Sequence, residues 1–277
     1  MRLGTSAPLA HSSAKEWAEN QIRLGCGAVV FPLDSTAPDD KIREYVEEAK
    51  AHDLLIAEVG IWRNAMSPDP ADRKAQRDYC VAQLKLAERI GARCAVNVAG
   101  AKGSRWDGYY KENFAKETRR EIIGMVREII DRAEIEKTFF ALEPMPWMIP
   151  TGPEEYRDLI EEVDRPQFGV HMDAVNMINS IGRYADMEGF IDRCAVVLGD
   201  KIKSCHIKDI HLRGEYTLQL EECAPGQGEF PLRHYVEKMS ALDPDMPIIL
   251  EHLNTDEEYV RYMNYLKEVL HGIRENF

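Results

Sequence analysis

Four polar residues close four short apolar runs in the second half of the chain, and together they could hold a metal ion. Each run is rich in aliphatic, β-branched or aromatic residues, which is typical of a buried strand. The four closing residues are Glu143, Asp173, His206 and Glu251. Three carboxylates in one partly desolvated pocket would repel one another unless a cation lay among them. The pattern therefore predicts a site for one divalent metal ion.

The ligand types indicate which metal and which chemistry this site would support. Oxygen-rich ligation with one imidazole suits Mn²⁺, Co²⁺ or Mg²⁺ better than a thiolate-type zinc site, although Zn²⁺ is compatible with it. We expect Mn²⁺. A metal that chelates a carbonyl oxygen and the neighbouring hydroxyl acidifies the α-proton, so that a carboxylate can remove it while the cation holds the enediolate.

Short β-type runs alternate with longer amphipathic segments along the whole chain, which sets the positions of these residues. The predicted strands are Arg2–Thr5, Ala28–Pro32, Leu54–Ile61, Arg93–Gly100, Thr138–Met145, Phe168–Asp173, Ile202–Asp209 and Pro247–Leu253. The predicted helices are Ala14–Leu24, Asp39–His52, Ala71–Ile90, Asn113–Glu134, Pro153–Val163, Met187–Leu198, Leu232–Leu242 and Asp256–Ile273.

Eight strand–helix units joined by right-handed crossovers close into a (β/α)8 TIM barrel. We expect a single domain of residues 1–277. The alternative, an open doubly wound sheet, would carry a glycine-rich turn after its first strand, whereas the turn here is Thr5-Ser6-Ala7-Pro8.

Barrel active sites are built at the carboxyl ends of the strands, and side chains alternate along a strand. Both rules predict that the three carboxylates and the imidazole converge at the mouth. The longest irregular stretches, 101–112 and 210–231, lie on the same side, and we expect the first to act as a lid.

Composition and charge exclude several classes of function. The chain has 35 basic and 48 acidic residues, which gives a net charge of −13. This negative charge opposes binding to nucleic acid. No apolar run approaches the roughly 20 residues of a membrane span, and the first residues do not resemble a secretory signal, so we expect a cytoplasmic protein. The six cysteines show no paired spacing and are expected to be reduced.

Several motifs resemble those of the xylose isomerase-like TIM barrel family of sugar phosphate isomerases and epimerases, which includes the ketose 3-epimerases. They are Ala141-Leu142-Glu143-Pro144, Val170-His171-Met172-Asp173-Ala174-Val175-Asn176, Cys205-His206-Ile207-Lys208-Asp209, Pro225-Gly226-Gln227-Gly228-Glu229-Phe230 and Ile249-Leu250-Glu251-His252. The resemblance implies that Glu143, Asp173, His206 and Glu251 hold one divalent metal. It also implies that the two glutamates are the catalytic acid and base.

The chain departs from the epimerase pattern at two positions. Where many of these epimerases carry a histidine three residues after the strand-six aspartate, this chain has Asn176, which can bind a hydroxyl but cannot change its charge. Where they carry an arginine about six residues after the strand-seven histidine, the nearest arginine is Arg213. Lys208, on the same strand face as His206, is a possible replacement.

Other residues around the predicted mouth are candidates for contact with a substrate, because indole rings stack on sugars and amides bind hydroxyls. The full set of predicted substrate-binding residues is Asn176, Lys208, Arg213, Trp62, Trp106, Asn97 and His171, with Glu58 and Trp147 as further candidates. By alternation, His252 points away from the mouth.

The leading hypothesis is a metal-dependent isomerase or epimerase of a ketose or related sugar. The alternative is a metal-dependent lyase or dehydratase acting on a keto-sugar or keto-glycoside, and a third possibility is a non-catalytic sugar-binding protein. An abasic-site nuclease is opposed by the net charge and by Glu58 and Asn97 on early strands, where that enzyme uses histidines. We expect a small-molecule carbohydrate as the partner, without a phosphate group, and a homo-oligomer.

Overall fold

Eight parallel strands form the predicted barrel in a computed structural model of the chain, which describes residues 1–7, 9–271 and 273. In the described part, the strands are β1 (Arg2–Thr5), β2 (Ala28–Val30), β3 (Leu55–Gly60), β4 (Cys94–Val98), β5 (Phe139–Glu143), β6 (Phe168–Met172), β7 (Ile202–Ile207), β8 (Asp209–Leu212), β9 (Leu220–Cys223) and β10 (Pro247–Leu250). The barrel order is β1-β10-β7-β6-β5-β4-β3-β2, and β8 and β9 form a separate hairpin.

The two ends of this sheet, β1 and β2, approach each other and nearly close the barrel. The backbone N–H of Gly27 donates to the carbonyl oxygen of Leu3 at 2.8 Å. A Cβ atom at Gly4 would lie only 2.4 Å from the carbonyl oxygen of Ala28, so the close approach requires glycine at this position.

Helices follow the strands and surround the barrel. They are α1 (Ala14–Leu24), α2 (Asp39–Ala51), α3 (Pro70–Ile90), α4 (Lys116–Ala133), α5 (Pro153–Val163), α6 (Ala174–Met177), α7 (Ile181–Ala185), α8 (Met187–Leu198), α9 (Leu232–Leu242) and α10 (Asp256–Val269), with 3-10 turns at Lys111–Phe114 and Gly199–Lys201. Gly25 and Gly91 end α1 and α3 in the left-handed conformation, as their positions in the sequence predict. Among the described residues, no helix is both long and apolar enough to cross a bilayer.

Small inward-facing side chains fill part of the barrel interior. Ala28, Ala57 and Ile249 form one buried cluster, and Cys94, Val96 and Ala141 form another. The larger apolar core includes residues of both strands and surrounding helices. Because successive strand residues face opposite sides, each strand contributes to both layers.

The observed elements differ from the sequence prediction at several boundaries. The predicted strand Ile202–Asp209 is divided, because β7 ends at Ile207 and Asp209 begins the antiparallel hairpin β8–β9 inside the predicted irregular stretch 210–231. The predicted helix Asn113–Glu134 begins at Lys116, and two unpredicted short helices, α6 and α7, follow β6. Residue 272 of the predicted last helix and Pro8 of the predicted first turn lie outside the described residues.

Candidate metal centre

The structure brings the four predicted ligands together at the carboxyl ends of their strands. Glu143 ends β5, Asp173 follows β6, His206 lies near the end of β7 and Glu251 follows β10. One potential ligand atom from each lies within 4.8 Å of the others, and all four side chains are buried. His206 Nδ1 is 3.1 Å from Glu143 Oε1, 2.9 Å from Glu251 Oε2 and 3.9 Å from Asp173 Oδ2.

Lys208 extends into this cluster from just beyond β7. Its Nζ lies 2.7 Å from Asp173 Oδ2 and 2.7 Å from Glu251 Oε1, and the side chain is 2% exposed. Burial by itself would lower the pKa of Lys208, but the two carboxylates outweigh burial and raise that pKa well above its ordinary value. Lys208 is therefore a buried ammonium that pairs with two of the predicted ligands.

Burial and neighbouring charges shift the pKa values of the predicted ligands. Burial raises the pKa of Glu143 to about 7, with Glu251 and Asp173 adding to the rise and His206 opposing it. Burial would also raise the pKa of Glu251, but His206 and Lys208 hold it well below its ordinary value. Burial would lower the pKa of His206, but Glu251 and Glu143 raise it well above its ordinary value.

The donor set fits a divalent cation. Three buried carboxylates and one imidazole, with one potential ligand atom of each within 4.8 Å of the others, are the oxygen-rich ligation that Mn²⁺, Co²⁺ and Mg²⁺ accept. The charge of such an ion would offset both the burial and the neighbouring negative charges that raise the pKa of Glu143. Glu143, Asp173, His206 and Glu251 are the residues that could hold it.

Glu58 lies near Nε2 of His206, whereas Glu143 and Glu251 lie near Nδ1 of the same ring. Its Oε2 is 3.7 Å from His206 Nε2, and its Oε1 is 3.4 Å from His171 Nδ1. Metal-binding histidines commonly direct their second nitrogen toward a carboxylate, which fixes the ring tautomer. Glu58 can therefore keep the proton of His206 on Nε2 and leave Nδ1 available to a cation. His171 Nδ1 also lies 2.6 Å from Ser204 Oγ, one layer deeper in the barrel.

A cavity of about 470 Å³ opens above the cluster. Trp62 and Trp106, both predicted to contact a substrate, line it, as do Trp147 and the predicted lid. The Trp62 ring is stacked on the His206 ring at 6.4 Å between centroids. Asn176 also lines the cavity, and its Nδ2 donates to Glu143 Oε1 at 3.1 Å.

Besides Lys208, three predicted substrate-binding residues do not line this cavity. The Asn97 side chain is fully buried, and its amide is bonded to the backbone N–H and C=O of Arg63. Arg213 extends from the end of the β8–β9 hairpin, where it pairs with Glu221. His171 lies beneath His206, with 4.0 Å between ring centroids. Local hydrogen bonds hold the Asn97 side chain away from the cavity, and the hairpin carries Arg213 away from it.

His252 lines the cavity, contrary to the prediction that it points away from the mouth. Its backbone has a φ of 59°, so the alternation of an extended strand does not continue past Glu251. The His252 ring approaches Glu222 of β9, with 2.9 Å between Nδ1 and Oε1. Glu222 also lies 3.5 Å from Lys208 Nζ. No sequence motif indicated Glu222 as a site residue, because it reaches the mouth only through the hairpin β8–β9, which was not predicted.

We expect Mn²⁺ to bind at least tenfold more tightly at pH 8 than at pH 6. Ligation needs ionised Glu143 and an unprotonated Nδ1 on His206, so the metal must displace protons. The pKa of about 7 at Glu143 alone accounts for roughly a tenfold change over this range, and His206 adds to it. Calorimetry in buffers of different ionisation enthalpy would measure both affinity and proton release. Equal affinity at both pH values without released protons would contradict this expectation.

Several solved structures share this fold at low sequence identity. D-psicose 3-epimerase from Clostridium cellulolyticum H10, solved with D-tagatose, is 17% identical with a TM-score of 0.71, covering 98% of this chain and 99% of its own. The Escherichia coli 3-keto-D-glucoside 4-epimerase is 14% identical with a TM-score of 0.69, covering 97% and 99%. A xylose isomerase-like TIM barrel protein from Mycobacterium smegmatis, in complex with magnesium, is 18% identical with a TM-score of 0.68, covering 98% and 94%.

No curated protein matches the chain in sequence. The model of the xylose isomerase-like TIM barrel family matches residues 17–269, which is nearly the whole barrel. The chain therefore belongs to the xylose isomerase-like TIM barrel family.

Proposed function

We propose that the chain is a divalent-metal-dependent isomerase or epimerase that moves a proton next to the carbonyl group of a keto-sugar. The observation that carries this proposal is the convergence of two buried glutamates, Glu143 and Glu251, with Asp173 and His206 around one point. Positioned carboxylates serve as general acids and bases in such proton transfers. The sugar epimerases among the structural neighbours support the same reaction class.

The four residues would hold the ion, for which Mn²⁺ is the proposed identity and Co²⁺, Mg²⁺ and Zn²⁺ are compatible alternatives. When bound, the ion would polarise the substrate carbonyl and offset the negative charge that develops on its oxygen. Glu58 would support this by orienting His206 through Nε2.

The two glutamates divide the proton transfer. Lys208, 2.7 Å from Glu251 Oε1, keeps Glu251 ionised and ready to accept the proton from the carbon next to the carbonyl. Glu143, whose Oε1 accepts a hydrogen bond from Asn176, takes up a proton from solvent and delivers it to the opposite face. Strands β5 and β10 are three positions apart in the barrel order, so the two carboxylates reach a planar intermediate from different sides. Inversion at the carbon follows, and the roles exchange in the reverse reaction.

The walls of the cavity favour an uncharged sugar. Acidic side chains, including Glu222 and Asp107, line the cavity beside the catalytic carboxylates, while Arg105 supplies a guanidinium. A phosphate group would meet repulsion there. The indole of Trp62 above His206 offers an apolar face for a sugar ring and excludes water from the reacting atoms.

Proton exchange with solvent tests this function. The Mn²⁺-loaded protein would be incubated in D₂O with a panel of ketoses and 3-keto-sugars, and NMR would follow the α-proton. We expect metal-dependent replacement of that proton by deuterium, without loss of water or of an aglycone. Removal of the metal by a chelator, and the variant Asp173→Asn, should each abolish the exchange.

Two other results would redirect the assignment. Release of water or of an aglycone from the same substrates would assign the elimination reaction, in which the intermediate expels a leaving group at the β carbon. Tight sugar binding by the metal-loaded protein without exchange on any substrate would overturn the enzymatic proposal and favour a binding protein.

A further inference from the structure

A second cavity of about 480 Å³ adjoins the one above the metal centre. The two share Trp62 and Trp106 as lining residues, so these indoles form a common wall. Ligand cavities in proteins typically measure about 300–1,000 Å³, so each of the two is large enough to hold part of a substrate. The second cavity is bounded by the start of α3 and by residues of the 101–112 loop.

The backbone conformation of Trp62 and its stacking on His206 constrain the shape of this shared wall. Trp62 has a φ of 52°, a left-handed conformation that bulky residues rarely adopt and that concentrates at functional sites. Its ring is stacked on His206, which anchors one side of the wall directly over the metal centre. Trp106 belongs to the 101–112 loop and is 37% exposed. Indole faces exposed to two adjacent cavities can stack against two linked sugar rings.

The second cavity is polar and lacks the features of a phosphate site. It is lined by Asp69, Asp72, Gln76, Ser67 and Arg63. Carboxylate and amide groups can exchange hydrogen bonds with sugar hydroxyls. The Arg63 guanidinium is stacked 4.7 Å from the centroid of the Tyr79 ring and donates to the carbonyl oxygen of Trp62. Two carboxylates beside this engaged guanidinium favour a neutral, hydroxyl-rich group over an anion.

We infer that the substrate is a glycoside of at least two rings. The keto-ring occupies the cavity above the metal centre, the glycosidic linkage passes along the edge of the Trp62 and Trp106 indoles, and the second ring occupies the second cavity, where Gln76 and Asp72 bind its hydroxyls. This inference rests on the proposed function and specifies its substrate class. A single-ring ketose would leave the second cavity unused.

The test compares two substrates that share the reacting ring, a 3-keto-disaccharide and the methyl glycoside of the same keto-ring. For the Mn²⁺-loaded enzyme we expect kcat/KM for proton exchange to be at least tenfold higher with the disaccharide, because each hydrogen bond and stacked ring retained in the transition state contributes about a tenfold gain. Gln76→Ala should lower kcat/KM for the disaccharide severalfold and leave that for the methyl glycoside unchanged.

Lys85→Gln is the matched control, because Lys85 is an exposed residue of the same helix that lines neither cavity. Calorimetry with the unreactive parent disaccharide, whose 3-position carries a hydroxyl, gives a second reading that does not require turnover. We expect it to bind at least tenfold more tightly than its methyl monosaccharide, and Gln76→Ala to reduce this advantage.

The two proposals fail in different ways. Equal kcat/KM for both substrates, together with equal binding of the parent sugars, would overturn the two-ring assignment while leaving the proton-transfer function intact. An equal effect of Gln76→Ala on both substrates would also overturn it. Absence of exchange with every substrate would overturn the proposed function, and the calorimetric comparison would still decide whether the second cavity binds a sugar ring.

Discussion

Replacing Glu251 by glutamine is expected to slow proton exchange at least about a thousandfold, the scale on which a general base contributes. Glutamine keeps the shape of the side chain but can neither accept the proton nor carry the negative charge. Glu251 Oε1 lies 2.7 Å from Lys208 Nζ, and Oε2 lies 2.9 Å from His206 Nδ1. The substitution therefore also leaves two cationic groups without one of their partners and weakens Mn²⁺ binding.

Three measurements separate these effects. NMR gives the exchange rate at saturating Mn²⁺, calorimetry gives the metal affinity, and thermal melting shows whether the variant is folded. Glu221→Gln is the matched control, because Glu221 lies on β9 but pairs with His211 and Arg213 outside the cavity. The control should keep its exchange rate. A Glu251→Gln protein that exchanges within tenfold of the unaltered chain would show that Glu251 is not a proton-transfer residue.

Asp209→Asn is expected to lower the free energy of unfolding by about 3 kcal/mol. The Asp209 carboxylate is 1% exposed and accepts hydrogen bonds from the backbone N–H groups of Ile210, Gly226, Gly228 and Phe230, at 2.8 to 3.0 Å. Charge-assisted bonds of this kind are stronger than neutral ones. An asparagine would turn one amide NH₂ group toward these donors and leave buried N–H groups without partners.

The packing around this carboxylate allows little adjustment. A Cβ atom at Gly228 would lie 2.4 Å from Asp209 Oδ1 and 2.3 Å from the carbonyl oxygen of Ile210, so the loop is already in close contact. Urea denaturation would measure the loss. Asp200→Asn, at an exposed position, is the control and should change stability by less than about 0.5 kcal/mol. A change below about 1 kcal/mol for Asp209→Asn would contradict the role assigned to this carboxylate.

Local chemistry was sufficient to predict several elements of the barrel. The predicted strand Thr138–Met145 is observed as β5, Phe139–Glu143, which ends where Pro144 and Pro146 remove the backbone donors that further pairing would need. Helices α1 and α3 end at Gly25 and Gly91, since glycine adopts the left-handed conformation without a steric penalty. Each of these boundaries depends on residues within a few positions of one another, so it could be predicted from the sequence.

The hairpin β8–β9 could not be predicted in the same way. Its first residue, Asp209, binds amides at positions 226, 228 and 230, which are 17 to 21 residues further along the chain. Glu222 reaches the mouth only because this hairpin forms. His252 likewise lines the cavity because its backbone is left-handed, a conformation that the adjacent residues do not predict. Rules of strand alternation hold only while the chain remains extended.

The sequence by itself determined the eight alternating strand–helix units, the barrel that they form, and the acidic and imidazole groups available at its strand ends. Only the tertiary structure decided that Lys208 lies between Asp173 and Glu251, and that Glu58 faces the second nitrogen of His206. The physical reason is the distance along the chain between the residues that interact. Periodicity and capping act within one element, whereas these contacts join side chains from different strands and depend on how the closed barrel orients each strand end.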